Sequence, residues 1–235
     1  MKPNETWKVA DHGPLEKLAD NLYSVTGKLK MPLGETVRRM TIAKLSDGRL
    51  VVFSAISLNE TEMAKLDALG PVAFIVVPSG IHRMDIKGWA ERYPQARVIA
   101  PAGVREKVEE LVKVDATTIE LADRKVKISA VPGTGDQELA MLVATSTGKT
   151  LVLADLIFNL PKLHGFAQFA FTLLGFGPGH PTQPRLVRMK LVKDKDAMQA
   201  QLRAWASDAG LERILVSHGD PIENPREALL ELAAA

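Results

Sequence analysis

Three strand-like runs in this chain each end on a side chain that can do chemistry. Ala73–Val77 leads into Pro78-Ser79-Gly80-Ile81-His82, Leu151–Leu153 into Ala154-Asp155, and Ile214–Val216 into Ser217-His218-Gly219-Asp220. In an α/β protein, ligands collect outside the carboxyl ends of strands, where side chains project clear of the covering helices. Two imidazoles and a carboxylate placed this way are a set of nitrogen and oxygen donors for a metal site. Each has a plainer role open to it as well. His218 can bond backbone at a strand end, Asp155 can cap a helix, since Asp is a favoured N-cap, and His82 can cap or pack. Asp85 falls in a first helical turn, where a carboxylate suits the macrodipole. His12, His164 and His180 lie in predicted loops or flanking segments and are read as non-ligands.

The elements that must position these groups alternate. Leu22–Val25, Met40–Leu45 and Leu50–Ala55 have the pattern of early strands, the last two joined by Asp47-Gly48, a strong hairpin signal. Asn59-Glu60-Thr61-Glu62 has the form of a capping box that opens a helix to about Leu69, stopped by Gly70. Ala73–Val77 is a continuous apolar run, as in a strand buried on both faces. Helices are predicted over about Met84–Tyr93, before Pro94, and over Val104–Val114, with a short strand at Arg97–Ala100 between them. Strands follow at Thr118–Leu121, Val126–Ala130, Ala140–Thr145 and Thr150–Leu153. A helix over Asp196–Asp208 spaces Met198, Leu202 and Trp205 along one face. The last strand, Arg213–Ser217, precedes a terminal helix with Asn224 as cap and Pro225 at its first position. Strand-rich and β/α stretches thus occur twice, which predicts an α/β, four-layer αββα sandwich: two mixed sheets face to face with helices outside. A doubly wound single sheet is the competing topology. With no linker, repeat or shift of composition, residues 1–235 are read as a single domain.

Bulk properties exclude several function classes. The hydrophobic content of 46% and charged content of 25% are those of a soluble globular chain. A net charge of +2, with no Lys/Arg-rich arm, argues against a nucleic-acid partner. The absence of cysteine rules out a disulfide framework, a thiolate nucleophile and a Cys-based zinc site. The start lacks an apolar secretory core, so a cytoplasmic location is expected. Gly165–Gly177 holds four Phe and two Leu but is too short for a membrane span, which needs about 20 apolar residues.

The strand order and its punctuation resemble the metallo-β-lactamase fold, over about Asn21 to Ile222. More narrowly they resemble an uncharacterised branch of that superfamily with a degenerate metal site. Leu50–Ile56 resembles the early strand, with Ser54 where an Asp is usual. In place of the His-x-His-x-Asp-His cluster stands Pro78-Ser79-Gly80-Ile81-His82-Arg83-Met84-Asp85, with one His and one Asp. Val131-Pro132-Gly133-Thr134 matches the next turn, with Thr134 replacing a histidine ligand. Asp155 matches the bridging aspartate and His218 the final histidine.

The resemblance implies a hydrolase of a small ester- or lactone-like substrate using at most one divalent metal ion, whether zinc, iron or manganese. His82, Asp155 and His218 would be the ligands, because a catalytic zinc site uses three protein donors and keeps one position open. Asp85 or Ser79 would orient water or substrate. The alternative is a metal-free, degenerate member that serves as a ligand-binding or interaction protein. Gly165–Gly177, with Phe166, Phe169, Phe171 and Phe176, is read either as a helix on the core or as a lid or homodimer patch.

Overall fold

The computed structural model describes residues 2–31, 34–162, 165, 171–173 and 175–235, with only the backbone described for residues 30, 31, 34 and 35. Six strands form one sheet in sequence order: β1 (Glu16–Ala19), β2 (Leu22–Met31), β3 (Gly34–Lys44), β4 (Leu50–Phe53), β5 (Val72–Val76) and β6 (Arg97–Ile99). The first three pairings are antiparallel and the last two parallel. The second sheet has the order β10-β9-β8-β7, built from β7 (Val126–Ala130), β8 (Leu139–Ala144), β9 (Lys149–Leu153) and β10 (Leu211–Val216). Here β10 and β9 are parallel and the rest antiparallel. Both sheets are therefore mixed, as expected.

The period-2 alternation of each strand sorts its side chains into layers. Val51 and Phe53 on β4 point inward, to a cluster with Val126, Met141, Val152 and Leu215 of the other sheet. Their neighbours Leu50 and Val52 point outward to Met63, Leu66 and Trp89. Those residues belong to helices α1 (Glu60–Asp67) and α2 (Ile86–Arg92). On the second sheet, Leu151 and Leu153 face outward to Met198, Leu202 and Leu229. The covering helices there are α5 (Lys195–Ala206) and α6 (Pro225–Ala234). Strands of this kind, buried on both faces, read as unbroken apolar runs. Two helical layers thus enclose two sheets, the αββα order predicted from the sequence.

Local signals were obeyed in part. Gly48 takes φ 88° in the turn between β3 and β4, as the Asp-Gly pair predicts. Asn59 Oδ1 accepts the Glu62 N–H at 3.0 Å, closing one half of the capping box. The other half is rewired: Glu62 takes the Leu15 N–H at 2.7 Å, and the Asn59 N–H goes to His12 Nε2 at 2.9 Å. The helix predicted over Val104–Val114 shortens to α3 (Arg105–Glu109). Thr118–Leu121 is not a strand; Ile119 and Leu121 fill the edge of the inter-sheet layer without pairing. A helix not foreseen, α4 (Arg185–Leu191), follows Pro184. No helix among the described residues is long and apolar enough to cross a membrane.

Candidate metal centre

The parallel order β4-β5-β6 in one sheet and β9-β10 in the other carries three strand ends to one edge of the sandwich. Two backbone hydrogen bonds align them, the first across the two sheets and the second within one. Leu139 N–H donates to Pro78 O at 2.9 Å, and Ser217 N–H donates to Leu153 O at 3.0 Å. As a result, one ligand atom each from His82, Asp155 and His218 lies within 4.8 Å of the others. His82 Nε2 is 3.1 Å and His218 Nε2 is 3.6 Å from the same oxygen, Asp155 Oδ1. Those separations bracket the edge of about 3.4 Å expected between donors in a tetrahedron with metal–ligand bonds near 2.1 Å.

The donor set fits an ion on chemical grounds as well. His218 Nδ1 lies 3.1 Å from Val37 O, and a carbonyl can only accept, so that nitrogen carries the proton. A neutral His218 then turns the lone pair of Nε2 toward a carboxylate oxygen. Two electron-rich atoms facing each other need a proton or a cation between them, and a backbone carbonyl fixing the far nitrogen is the usual partner of a metal-binding histidine. Phe158 stacks on the His218 ring at 4.8 Å and 17°, which holds its plane. The two histidine rings lie 5.3 Å apart.

Arg39 and Glu138 secure the loops, and neither was singled out from the sequence. Arg39 on β3 reaches across to the carbonyls on either side of His218, Val216 O at 3.2 Å and Gly219 O at 3.1 Å. Gly219 adopts φ 114°, and a Cβ there would stand 2.0 Å from Asn159 O, so only glycine lets these loops touch. Glu138 is fully buried, and its carboxylate accepts the N–H groups of Ala154, Asp155 and Leu156 at 3.1–3.2 Å. Burial, and then the charge of Asp155, push the Glu138 carboxyl well above the usual range despite those bonds. Burial alone would also raise Asp155, but the facing His82 and His218 outweigh it and hold Asp155 well below the usual range.

The other predicted site residues divide. Ser79 joins the cluster, donating from Oγ to Asp155 Oδ2 at 2.5 Å. Asp85 does not join it: its carboxylate is ion-paired with Arg38 and accepts from Asn4 Nδ2 at 2.9 Å and Ser57 Oγ at 3.1 Å. These donors occupy both oxygens of a 2% exposed residue, and the side chain makes no cap bond to α2. Thr134 is fully buried and donates to Val131 O at 2.7 Å, closing its own turn. Among the described residues Asp155 caps no helix, and His12 is spent on Gly13 O and the Asn59 N–H. Within the Phe-rich segment, Phe171 packs edge-on against Phe176, which packs edge-on against Phe158 beside His218. His164, Phe166 and Phe169 lie outside the described residues, so the lid or dimer expectation falls largely there too.

No family model matches the sequence, and no curated protein matches it. Solved structures do match by shape. The metallo-β-lactamase FIM-1 from Pseudomonas aeruginosa, in its mono-zinc form, superposes with a TM-score of 0.63 at 14% identity, over 97% of this chain and 96% of that one. The DIM-1 metallo-β-lactamase exposed to ceftazidime gives 0.64 at 12% identity, over 97% of this chain and 98% of that one. TMB-1, whose structure addresses substrate and inhibitor binding, gives 0.62 at 12% identity, over 96% and 98%. Agreement over whole chains leads to one conclusion: this chain has the metallo-β-lactamase fold.

Proposed function

We propose that the protein is a hydrolase of a small ester- or lactone-like substrate, working with one divalent ion held by His82, Asp155 and His218. The observation that carries this reading is the convergence of three donor atoms within 4.8 Å, one of them a histidine Nε2 whose proton is committed elsewhere. Such an ion supplies Lewis acidity, polarising a carbonyl and making water a stronger nucleophile near neutral pH. His82 and His218 contribute neutral nitrogens and Asp155 the charge, while Ser79 fixes the rotation of the carboxylate through its second oxygen. A second ion has too few donors, because Ser54 and Thr134 stand where the family pattern places an Asp and a His. The ligands come from both sheets, so the site calls for residues 1–235 as one domain. The ion is zinc, iron or manganese, since imidazole and carboxylate suit all three.

The metal-free reading, a ligand-binding module, is favoured by a different observation. Ser54, Ser79, His82 and Asp155 already satisfy one another by hydrogen bonds. Thermal melts with and without zinc decide between the two. An ion present at about 100 times its Kd stabilises the folded state by about 2.7 kcal/mol. For a chain of this size that is a rise of about 5–11 °C in Tm. His218→Ala should abolish the rise. Equal zinc responses in parent and variant would defeat the metal reading and leave the binding module standing.

A further inference from the structure

We propose that Ser54, His82 and Asp155 also form a nucleophile–base–carboxylate relay, one that hydrolyses esters of small acyl groups with no metal ion bound. This activity goes beyond the ion-dependent reading and does not rest on it. Ser54 Oγ lies 2.6 Å from His82 Nδ1, and His82 Nε2 lies 3.1 Å from Asp155 Oδ1. A hydroxyl, an imidazole and a buried carboxylate in hydrogen-bonded sequence are the functional core of serine hydrolases, and they are recognised by geometry and roles rather than by fold. Ser79 donates to the remaining oxygen of Asp155, so the carboxylate cannot swing away from His82.

The backbone supports the assignment. Ser54 is one of two non-glycine residues with positive φ among those described, at 59°, and it directly follows the end of β4. A nucleophile on a strained turn at a strand end is how other hydrolases present a serine hydroxyl to substrate. Ser54 lines a cavity of about 40 Å³ together with Ala55, Arg38, His82 and His218. Among the described residues the Ala55 N–H has no hydrogen-bond acceptor, and the buried Nε of Arg38 has no partner. The amide that follows the nucleophile is therefore available for a developing oxyanion. At about 10–15 Å³ for each water, the cavity has room for roughly three waters. A small acyl group, the size of formyl or acetyl, suits it. A cleft of about 520 Å³ that shares Leu29, Arg38 and Met84 with it has room for the alcohol part.

The steps balance without a co-reactant other than water. Ser54 Oγ bonds to the ester carbonyl carbon as its proton passes to His82 Nδ1, whose Nε2–H stays on Asp155. The C–O bond to the alcohol then breaks, the alcohol leaves with that proton, and the acyl group remains on Ser54. Water adds to the acyl carbon, giving its proton to His82. The bond to Ser54 then breaks, releasing the carboxylic acid and returning the proton to Oγ. This cycle needs the proton of neutral His82 on Nε2, whereas binding an ion through that atom needs it on Nδ1. His82 and Asp155 can thus serve either chemistry, one at a time.

Methanesulfonyl fluoride, small enough for the cavity, tests the relay on the full-length protein held in EDTA. The expected result is one methanesulfonyl group per chain, mapped to Ser54, with hydrolysis of p-nitrophenyl acetate lost in step with labelling. Ser54→Gly adopts the positive φ freely and lacks the hydroxymethyl group, so a folded but unlabelled and inactive variant supports the relay. His82→Gln should slow labelling about a hundredfold, the lower end of what a general base contributes. No adduct at Ser54 in the parent would overturn the proposal, as would an undiminished labelling rate in His82→Gln or equal ester hydrolysis by Ser54→Gly. Zinc uptake is read separately by the melting shift, so failure of the ion-dependent reading and failure of the relay are distinguishable.

Discussion

Replacing Arg39 by Met tests whether the first sheet positions His218. The guanidinium is 6% exposed and donates to Val216 O, Gly219 O and Ser24 Oγ at 3.1–3.2 Å. Methionine keeps most of the length and none of the donors. A buried acceptor that loses its donor costs about 1–3 kcal/mol, so two carbonyls amount to about 2–6 kcal/mol. Removing a buried cation also removes its desolvation penalty, which is why burial pulls the Arg39 pKa down. The net loss should therefore sit in the lower half, about 2–4 kcal/mol, or about 4–16 °C in Tm for a chain of this length. The informative measurement is the zinc response of the variant while it is still fully folded. With Val216 and Gly219 released, the loop carrying His218 loses two of its anchors, and the zinc-induced rise in Tm should shrink along with the base stability. A variant that melts within 1 °C of the parent, with an unchanged zinc response, would refute the role assigned to Arg39.

Two further substitutions probe the loops from other sides. Gly219→Ala places a Cβ 2.0 Å from Asn159 O at φ 114°, so backbone strain of about 1–3 kcal/mol adds to a direct clash. Its Tm should fall by more than about 4 °C, and a fall of under 1 °C in a melt would show that the two loops separate easily. For Glu138 the sign follows from a raised pKa: the folded state favours the protonated acid. Stability from that group is present in full below its unfolded pKa of about 4.3 and is lost as pH rises through the folded value. The advantage of the parent over Glu138→Gln, which is neutral throughout, should shrink from pH 4 toward pH 9 in denaturant titrations. An advantage that grows with pH would reverse the assignment.

Much of the fold was legible because its strands are buried on both faces. Ala73–Val77 and Leu151–Leu153 are apolar without interruption, and only a strand packed between a sheet and a helix layer requires that. The final residues of those runs were legible as site candidates for the same reason, since a polar group just past such a run must lie at the sheet edge. The boundaries that failed were ones where tertiary contacts replaced a local signal. Glu62 has the right type and spacing for a capping box, but its carboxylate takes the Leu15 N–H, and His12 takes the Asn59 N–H. Thr118–Leu121 has strand composition, but Ile119 and Leu121 are spent packing on the inter-sheet layer, and the segment pairs with no strand. Leu186, Met189 and their cationic neighbours in α4 gave no face that marks a buried helix, and both apolar residues are in fact exposed.

The site was half legible, and the missing half has a common physical character. His82, Asp155 and His218 announce themselves because a chemically capable residue follows each strand directly. Val37 and Arg39 do not, because they sit mid-strand on β3, more than 170 residues before His218, where the sequence shows only polar side chains alternating with apolar ones. Glu138 is equally silent, since a glutamate in a polar loop is ordinarily solvated, and only the three amides of Ala154–Leu156 turning inward make it a buried anchor. Asp85 lies away from the cluster. It has the right residue type three positions from His82, but Arg38 from β3 captures it. The two carboxylates differ in the kind of partner on their oxygens. Asp85 is neutralised by the permanent cation of Arg38 and held by Asn4 and Ser57, whereas Asp155 faces two imidazole nitrogens and the Ser79 hydroxyl. A proton shared with an imidazole is one that an ion can displace; a guanidinium is not. Residue type and spacing locate such groups, and the chemistry of their partners tells them apart.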